Sequence, residues 1–175
     1  MSGGFRPRRD GGVSIKLDEA EAAILRSLAS QILGLVEPGA TGGDRLERAL
    51  GIGSAEAPSD PVLARLFPSA YPDDDRAAAE FRRYTEATLR DGKRADAQTV
   101  LDTVAAGPVE LTREQAQAWM RALNDIRLAL GTRLDVTESV HEEIAAMSGD
   151  DPRYPAYLTY DWLTYLQDTL VRALW

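Results

Sequence analysis

The single histidine of the chain, His141, is the first residue to examine for chemistry. It follows Glu138 at the Glu-x-x-His spacing that puts two metal ligands on one helix face in di-iron bundles. A complete site of that type needs a second Glu-x-x-His pair, and the chain has no second histidine and no cysteine. A nucleophilic triad would also have to use His141, yet the chain contains no Gly-x-Ser-x-Gly elbow. The sequence therefore predicts no metal site and no cofactor.

Three short acidic runs bring carboxylates together, at 73–75, at Glu142-Glu143 and at Asp150-Asp151. General acid–base catalysis needs two carboxylates in a cleft whose environments separate their pKa values. These runs fall at predicted helix starts and in loops, where helix capping and the helix dipole account for acidic residues. A carboxylate-dependent enzyme is therefore the second alternative rather than the leading interpretation.

Four polar residues on one predicted helix form the candidate binding site: Asn124, Asp125, Arg127 and Arg133. At about 100° per residue, Arg127 falls at the edge of the apolar stripe of this helix, and Asp125 points elsewhere. A charge at the edge of a core needs a partner, so we expect a carboxylate on another helix to pair with Arg127. The pair would fix helix register, or the four residues would form a site for an anion or a carboxylate-bearing peptide.

The charge distribution argues against nucleic acid as a ligand. The net charge is −8, and the segment 135–175 contains eight acidic residues and two arginines. The pattern Leu111-Thr112-x-x-Gln115 is similar to the start of a helix-turn-helix, but the helix that follows it carries Glu138, Glu142 and Glu143 and no basic residue. Such a helix would repel DNA phosphates. The segment 76–94 has six basic and three acidic residues, and it is the one basic surface predicted.

The elements that position these residues are mainly helical. Residues 5–17 predict a small N-terminal β-hairpin, with a turn at Gly11-Gly12 and strand-like alternation after it. A capping box at Asp18 and Glu21 opens a helix that runs to about residue 36. Residues 39–60 predict a flexible, loop-rich segment with a short helix at 44–50.

Helices are predicted for most of the remaining chain. A short one opens at Asp60-Pro61 and a long one runs from about residue 73 to 106, with a bend or break at Asp91-Gly92. A further helix opens at Thr112 and ends near residue 134, followed by a shorter one at 137–147 and a last one from about Pro155. We therefore expect a mainly α, compact multi-helix domain that covers residues 1–175.

The last helix is apolar on almost all sides, which predicts burial. Its large side chains either lie at the centre of the fold or meet a partner. In the second case Tyr157, Tyr160 and Trp175 would form an exposed aromatic rim of an interface, with another protein or with a second copy of the chain. The chain has no secretory signal and no apolar run long enough for a membrane span, which predicts a cytoplasmic protein.

The segment WMRALNDIRLALGTRLDV, from Trp119 to Val136, resembles the DUF2017 family, an actinobacterial domain of unknown function. Further matching segments are VSIKL and the helix after it, DPVLARLFPSAYPDD at 60–74, and the final YDWLTYLQDTLVRAL. The resemblance implies a gene that often lies near those for the ClpS proteolytic adaptor and a metallopeptidase of the sulfur-carrier pathway. It implies no catalytic residue.

The leading interpretation is a non-enzymatic protein-binding adaptor or regulatory module with a link to regulated proteolysis. The link rests on the gene neighbourhood that the resemblance implies, and not on physical chemistry. A transcriptional regulator is the alternative, since some members of the family are described in that way.

Overall fold

The computed structural model describes residues 3–36 and 60–175. Within these ranges the chain forms six helices and three strands, which confirms the mainly α prediction. In chain order the elements are β1 (Arg6–Pro7), β2 (Val13–Leu17), α1 (Glu19–Leu35), α2 (Pro61–Leu66), α3 (Asp75–Thr103), β3 (Gly107–Leu111), α4 (Arg113–Leu134), α5 (Val140–Ala146) and α6 (Tyr154–Leu174). The loop-rich segment predicted from residue 39 and the helix predicted at 44–50 lie outside the described residues.

The predicted N-terminal hairpin is confirmed, and it belongs to a larger sheet. Antiparallel strands lie in the order β1-β2-β3, with Ile15 opposite Val109. Sequence analysis missed β3, because the strand is short and contains Pro108, a residue that is uncommon within strands. Val109 and Leu111 nevertheless point inward with the two-residue period of a strand. The strand explains why the long helix ends at Thr103 and not near residue 106.

Local sequence signals account for most helix starts. Asp18 and Glu21 form a capping box at α1, and Thr112 and Gln115 form one at α4, as predicted. Asp60 caps α2, where Pro61 takes the first-turn position that needs no N–H donor. The predicted bend or break at Asp91-Gly92 is wrong, because α3 continues through both residues. One interior glycine costs only about 1 kcal/mol, which the packing of the two halves of α3 outweighs.

Helix α4 is the central helix, in contact with α1, α2, α3 and α6. Its Trp119 is fully buried, where the indole Nε1 donates a hydrogen bond to Thr103 Oγ1 at 2.7 Å. Phe5 of the N-terminal segment packs edge-on against the same indole at 5.8 Å. The hairpin, α3 and α4 thus meet at one side chain.

Helix α6 packs on α4, on α5 and on strands β1 and β2, but several of its apolar side chains stay exposed, so the expectation of burial on nearly all sides is wrong. Its buried side includes four leucines at helical spacing, at positions 163, 166, 170 and 174. Tyr165 and Val171 on the other side are exposed. The N-terminal segment covers part of this other side, where the Phe5 N–H donates to Thr169 Oγ1 at 3.1 Å.

Candidate functional site

A groove of about 450 Å³ runs between α3 and α4. One wall comes from α3 and the other from α4, and Gln167 of α6 also lines the groove. Gly92 of α3 contributes no side chain to its wall, which leaves the groove open there. The side chains that matter for its chemistry are Leu89, Lys93, Asp96, Met120, Arg121 and Asn124.

Two ion pairs cross the groove and join its walls. Lys93 Nζ lies 2.7 Å from Asp125 Oδ1. Arg121 holds Asp96 with two hydrogen bonds, from Nε to Oδ2 at 2.9 Å and from Nη2 to Oδ1 at 2.8 Å. Parallel donation of this kind from a guanidinium to a carboxylate is both directional and strong. The pairs therefore fix the spacing of the two helices.

Burial sets the electrostatics of Asp125. Only 3% of this residue is exposed. Loss of hydration raises the pKa of the Asp125 carboxyl, the nearby charge of Asp96 raises it further, and Lys93 opposes both. The hydrogen bonds from Arg121 to Asp96 raise the pKa of that guanidinium. Both carboxylates of the groove are thus neutralised by a cation of the opposite helix.

An apolar recess of about 240 Å³ continues the groove toward the N-terminal end of α3, since Leu89 and Lys93 line both. Phe67 forms part of its floor beneath the guanidinium of Arg90, which lies 4.7 Å from the ring centre. Arg90 is itself held by Glu86 one turn earlier on α3, at 2.9 Å. This buried pair and the Phe67 ring beneath it anchor the end of α2 against α3.

Two large exposed side chains, Phe81 and Leu89, line this recess. Together with two exposed tyrosines, Tyr71 and Tyr84, the second of which lies one turn after Phe81 on α3, we refer to them as the α3 patch. Tyr84 is 58% exposed. Tyr71 and Phe81 contact each other edge to face at 6.0 Å. Half of the exposed large hydrophobic side chains of the described residues lie in this patch. Clustering of this kind, next to a groove, is typical of a surface that binds another protein.

The structure brings together only two of the four predicted binding residues. Asn124 and Asp125 line the groove. Arg127 points instead to α6, where its Nε donates to Thr164 Oγ1 at 3.1 Å and its Nη1 donates to Gln167 Oε1 at 2.6 Å. The expected carboxylate partner is therefore wrong, because two neutral oxygens of α6 occupy its place.

Arg133 lies near the C-terminal end of α4, away from the groove. Its Nη1 donates to Gln31 Oε1 of α1 at 3.2 Å. Arg127 also contacts the Tyr160 ring, with the guanidinium carbon 5.6 Å from the ring centre. Arg127 and Arg133 thus connect α4 to two different helices.

The three predicted interface residues of α6 lie in different environments. Tyr157 is 4% exposed, and its hydroxyl donates to the Leu134 carbonyl at 2.9 Å. Its expected place in an exposed rim is wrong, because the first turn of α6 packs on the end of α4. Tyr160 is half-buried beside Gly131, whereas Trp175 is 74% exposed with Arg113 over its ring at 5.9 Å.

Sequence analysis missed Lys93, Asp96 and Arg121 and the exposure of the α3 patch. The signal was present as two charged pairs at helical spacing, Lys93 with Asp96 and Arg121 with Asp125. Each pair by itself predicts a bond along one helix. In the structure each residue pairs instead with one on the other helix, Lys93 with Asp125 and Arg121 with Asp96. The charge pattern of a single helix does not specify such pairs.

The other residues examined for chemistry lie outside the groove. His141 Nδ1 is 3.2 Å from Asp161 Oδ1, and both side chains are largely exposed. Within residues 3–36 and 60–175, no three histidine, aspartate or glutamate side chains are grouped as they would be around a metal ion. Hydrogen bonds from Arg153 lower the pKa of Asp151 to about 2.

None of the helices in residues 3–36 and 60–175 has the length and apolar character that crossing a membrane requires.

Comparison with known proteins gives one family and one group of named relatives. The family model "Domain of unknown function (DUF2017)" matches residues 1–174. The "Oxidative stress regulator AosR" of Mycobacterium tuberculosis H37Rv and that of Mycobacterium bovis are each 39% identical over 173 residues, which is 88% of this chain and 78% of theirs. The "Putative oxidative stress regulator AosR" of Mycobacterium leprae is 38% identical over the same length. No solved structure matches. Similarity to proteins named as regulators indicates a regulatory protein.

Proposed function

This chain belongs to the DUF2017 family, and we propose that it regulates the response to oxidative stress by binding a helix of another protein along the groove between α3 and α4, which we refer to as the α3 groove. The observation that carries the proposal is the exposed α3 patch, in which Leu89 lines the groove, Phe81 lines the recess that continues it, and Tyr71 contacts Phe81. The process that we propose, the response to oxidative stress, comes from the named relatives, which are described as oxidative stress regulators.

A helix fits the shape and chemistry of this surface. The groove runs along α3 and α4, and its lining is more apolar than polar. An amphipathic helix can place apolar side chains on Leu89 and Met120 while its polar edges meet Arg121 and Asn124. Aromatic residues such as those of the α3 patch dominate the binding energy of many interfaces.

Direct DNA binding is the weaker form of regulation for this chain. Its net charge of −8 repels phosphate, and α5 presents Glu142 and Glu143 in its first turn. A mobility shift that weakens steeply with salt would favour the transcriptional regulator instead.

A carboxylate-dependent enzyme is also the weaker alternative. Asp96 and Asp125 bring two carboxylates to one groove, as such an enzyme would require, but each is paired with a cation.

The family resemblance adds one candidate for the partner. Genes of the family often lie near that of the ClpS adaptor, so a component of regulated proteolysis is the first protein to test against the α3 groove. A second copy of this chain is the other partner to examine, and light scattering of the purified protein distinguishes the two.

The test is complementation in the native cell after exposure to hydrogen peroxide. A strain without the gene is given the wild-type chain, the double variant Phe81→Ser plus Tyr84→Ser, or the control Tyr165→Ser on α6. Phe81 and Tyr165 are exposed to nearly the same extent, 44% and 47%. We expect the wild-type chain and the control to restore the change in transcripts that follows peroxide, and the double variant to give the same transcript level with and without peroxide while its melting temperature stays close to that of the control. Full restoration by the double variant would contradict the proposal.

A photo-cross-linking residue at position 84 gives a direct measure of binding. The same residue at position 165 serves as the control. We expect a cross-linked product of defined mass from position 84 and none of that mass from position 165.

A further inference from the structure

We propose that Met120 is an oxidation site in the α3 groove, and that its conversion to the sulfoxide by peroxide releases the bound helix. The proposal rests on the proposed function, because it identifies the chemical signal that acts on the same groove. The chain has no cysteine, so a thiol or disulfide of its own cannot respond to an oxidant. Methionine is then the sulfur-containing side chain that remains.

The position of Met120 connects oxidation to binding. The chain has three methionines, and of the two in the described ranges only Met120 lines the groove. Its side chain is partly buried and packs against the core below. Methionine is a flexible, polarisable side chain that adapts to apolar partners, so Met120 suits the floor of a helix-binding groove.

Three of the side chains that line the groove with Met120 carry hydrogen-bond donors. They are those of Lys93, Arg121 and Asn124. The ammonium group of Lys93 has three N–H donors, and Asp125 Oδ1 accepts one of them at 2.7 Å. The Asn124 amide is exposed. A sulfoxide oxygen is a strong acceptor, so a donor near Met120 stabilises the oxidised side chain in place.

The chemical step is a two-electron oxidation of the thioether. A sulfur lone pair of Met120 attacks one oxygen of hydrogen peroxide, an S–O bond forms, and the O–O bond breaks. The departing hydroxide takes up a proton to leave as water, and loss of the proton on the new S–OH group gives the sulfoxide. Methionine is oxidised and peroxide is reduced, with no further reactant. Sulfoxide reductases reverse the change, which makes it usable as a signal.

Oxidation changes the surface that the partner meets. An apolar thioether becomes a polar group that carries an oxygen atom, and the apolar side chain of the partner helix loses its contact there. We expect affinity to fall by about tenfold, which corresponds to about 1.4 kcal/mol. The rest of the fold is kept, because Met120 lies at the edge of the core.

Met147 provides the matched control. It is the C-terminal cap residue of α5, and it does not line the groove. Leucine replaces methionine at similar volume and cannot form a sulfoxide, so Met120→Leu and Met147→Leu each remove one oxidation site with little effect on packing.

The first arm of the test uses the purified chain and hydrogen peroxide alone. Peptide mapping by mass spectrometry locates the added oxygen, and the melting temperature is measured before and after. We expect oxidation at Met120 in the wild-type chain and in Met147→Leu, with the melting temperature largely retained. A chain whose Met120 stays unoxidised at a peroxide concentration that oxidises Met147 would overturn the proposal.

The second arm measures the photo-cross-link from position 84 in native cells before and after hydrogen peroxide. We expect the yield to drop in the wild-type chain and in Met147→Leu, and to persist in Met120→Leu. An equal drop in Met120→Leu overturns this inference and leaves the proposed function intact. A cross-link that never forms, together with full complementation by the α3 patch variant, overturns the proposed function itself.

Discussion

Lys93 of α3 and Asp125 of α4 join these two helices, with Nζ of the lysine 2.7 Å from Oδ1 of the aspartate. The two residues are not equally buried, since the side chain of Lys93 is 20% exposed and that of Asp125 is 5% exposed. The lysine can turn toward water if its partner is lost, whereas the carboxylate cannot. Removal of one partner or of the other should therefore have different consequences.

Lys93→Met should destabilise the fold more than Asp125→Asn. The first substitution leaves a buried carboxylate without its cation, which we expect to cost about 2–4 kcal/mol, somewhat less than a fully buried pair would lose. The second removes a charge whose burial was already unfavourable, so we expect a change within about 1 kcal/mol. Urea unfolding at neutral pH measures both, and the reverse order would refute the argument.

The stability of the protein should also depend on pH through Asp125. Burial raises the pKa of this carboxyl, so the folded state keeps the proton at a pH where the unfolded chain has lost it. The stabilisation is present below the unfolded pKa of about 4 and is lost as pH rises through the folded value. The free energy of unfolding of the wild type, relative to Asp125→Asn, should thus fall as pH rises above about 4. A constant difference over that range would mean that Asp125 titrates normally.

Arg127→Met should have only a moderate effect on stability. Its two partners on α6, Thr164 and Gln167, are neutral and can turn to water when the guanidinium is removed. Two such hydrogen bonds contribute about 1 kcal/mol each, and methionine retains much of the packing. We expect a loss of about 1–2 kcal/mol in a urea unfolding experiment. A loss above about 4 kcal/mol would imply that a buried charge had been left unpaired.

Elements that depend on short-range signals were predicted from the sequence. The capping boxes at Asp18 and Thr112 placed the starts of α1 and α4, since their bonds join residues only three positions apart. Strand β3 was not predicted, because its evidence is pairing with β2 nearly a hundred residues earlier. The bend predicted at Asp91-Gly92 was wrong for a related reason. Packing along the whole of α3 outweighs the weak tendency of one glycine to interrupt a helix.

The candidate site was predicted in part, for the same physical reason. The helix of Asn124 and Asp125 was predicted, and the helical wheel placed Arg127 at the edge of its core. The sequence did not show which residues pair with Asp125 and Arg127, since that depends on how α3 and α6 lie against α4. A wheel describes the directions of side chains on one helix and contains nothing about the neighbouring helix that receives them. The exposure of Tyr84 and the burial of Tyr157 follow from that missing information.

Two glycines should respond in opposite ways to alanine. A Cβ at Gly12 would lie 2.3 Å from the backbone oxygen of Leu111, so Gly12→Ala must push β2 and β3 apart. We expect a loss of about 3 kcal/mol, the upper end for overpacking. A Cβ at Gly34 in α1 meets nothing within 4 Å, and alanine there should stabilise the helix by about 0.5–1 kcal/mol. Thermal melts of the two variants test this, and a drop in the melting temperature of Gly34→Ala would contradict it.

Thr103→Val should reveal the contribution of the hydrogen bond at the centre of the fold. The hydroxyl of Thr103 accepts the indole N–H of Trp119 at 2.7 Å, and valine has the same shape without an acceptor. The fully buried N–H is then left unsatisfied, which costs about 1–3 kcal/mol. Thr103→Ser is the control, because it retains the hydroxyl and should change the free energy of unfolding much less. Trp162→Phe provides a second comparison, since the Trp162 N–H has no hydrogen-bond partner among residues 3–36 and 60–175 and its removal loses no such bond. If valine and serine at position 103 gave equal losses, the cost would lie in packing and the hydrogen bond would contribute little.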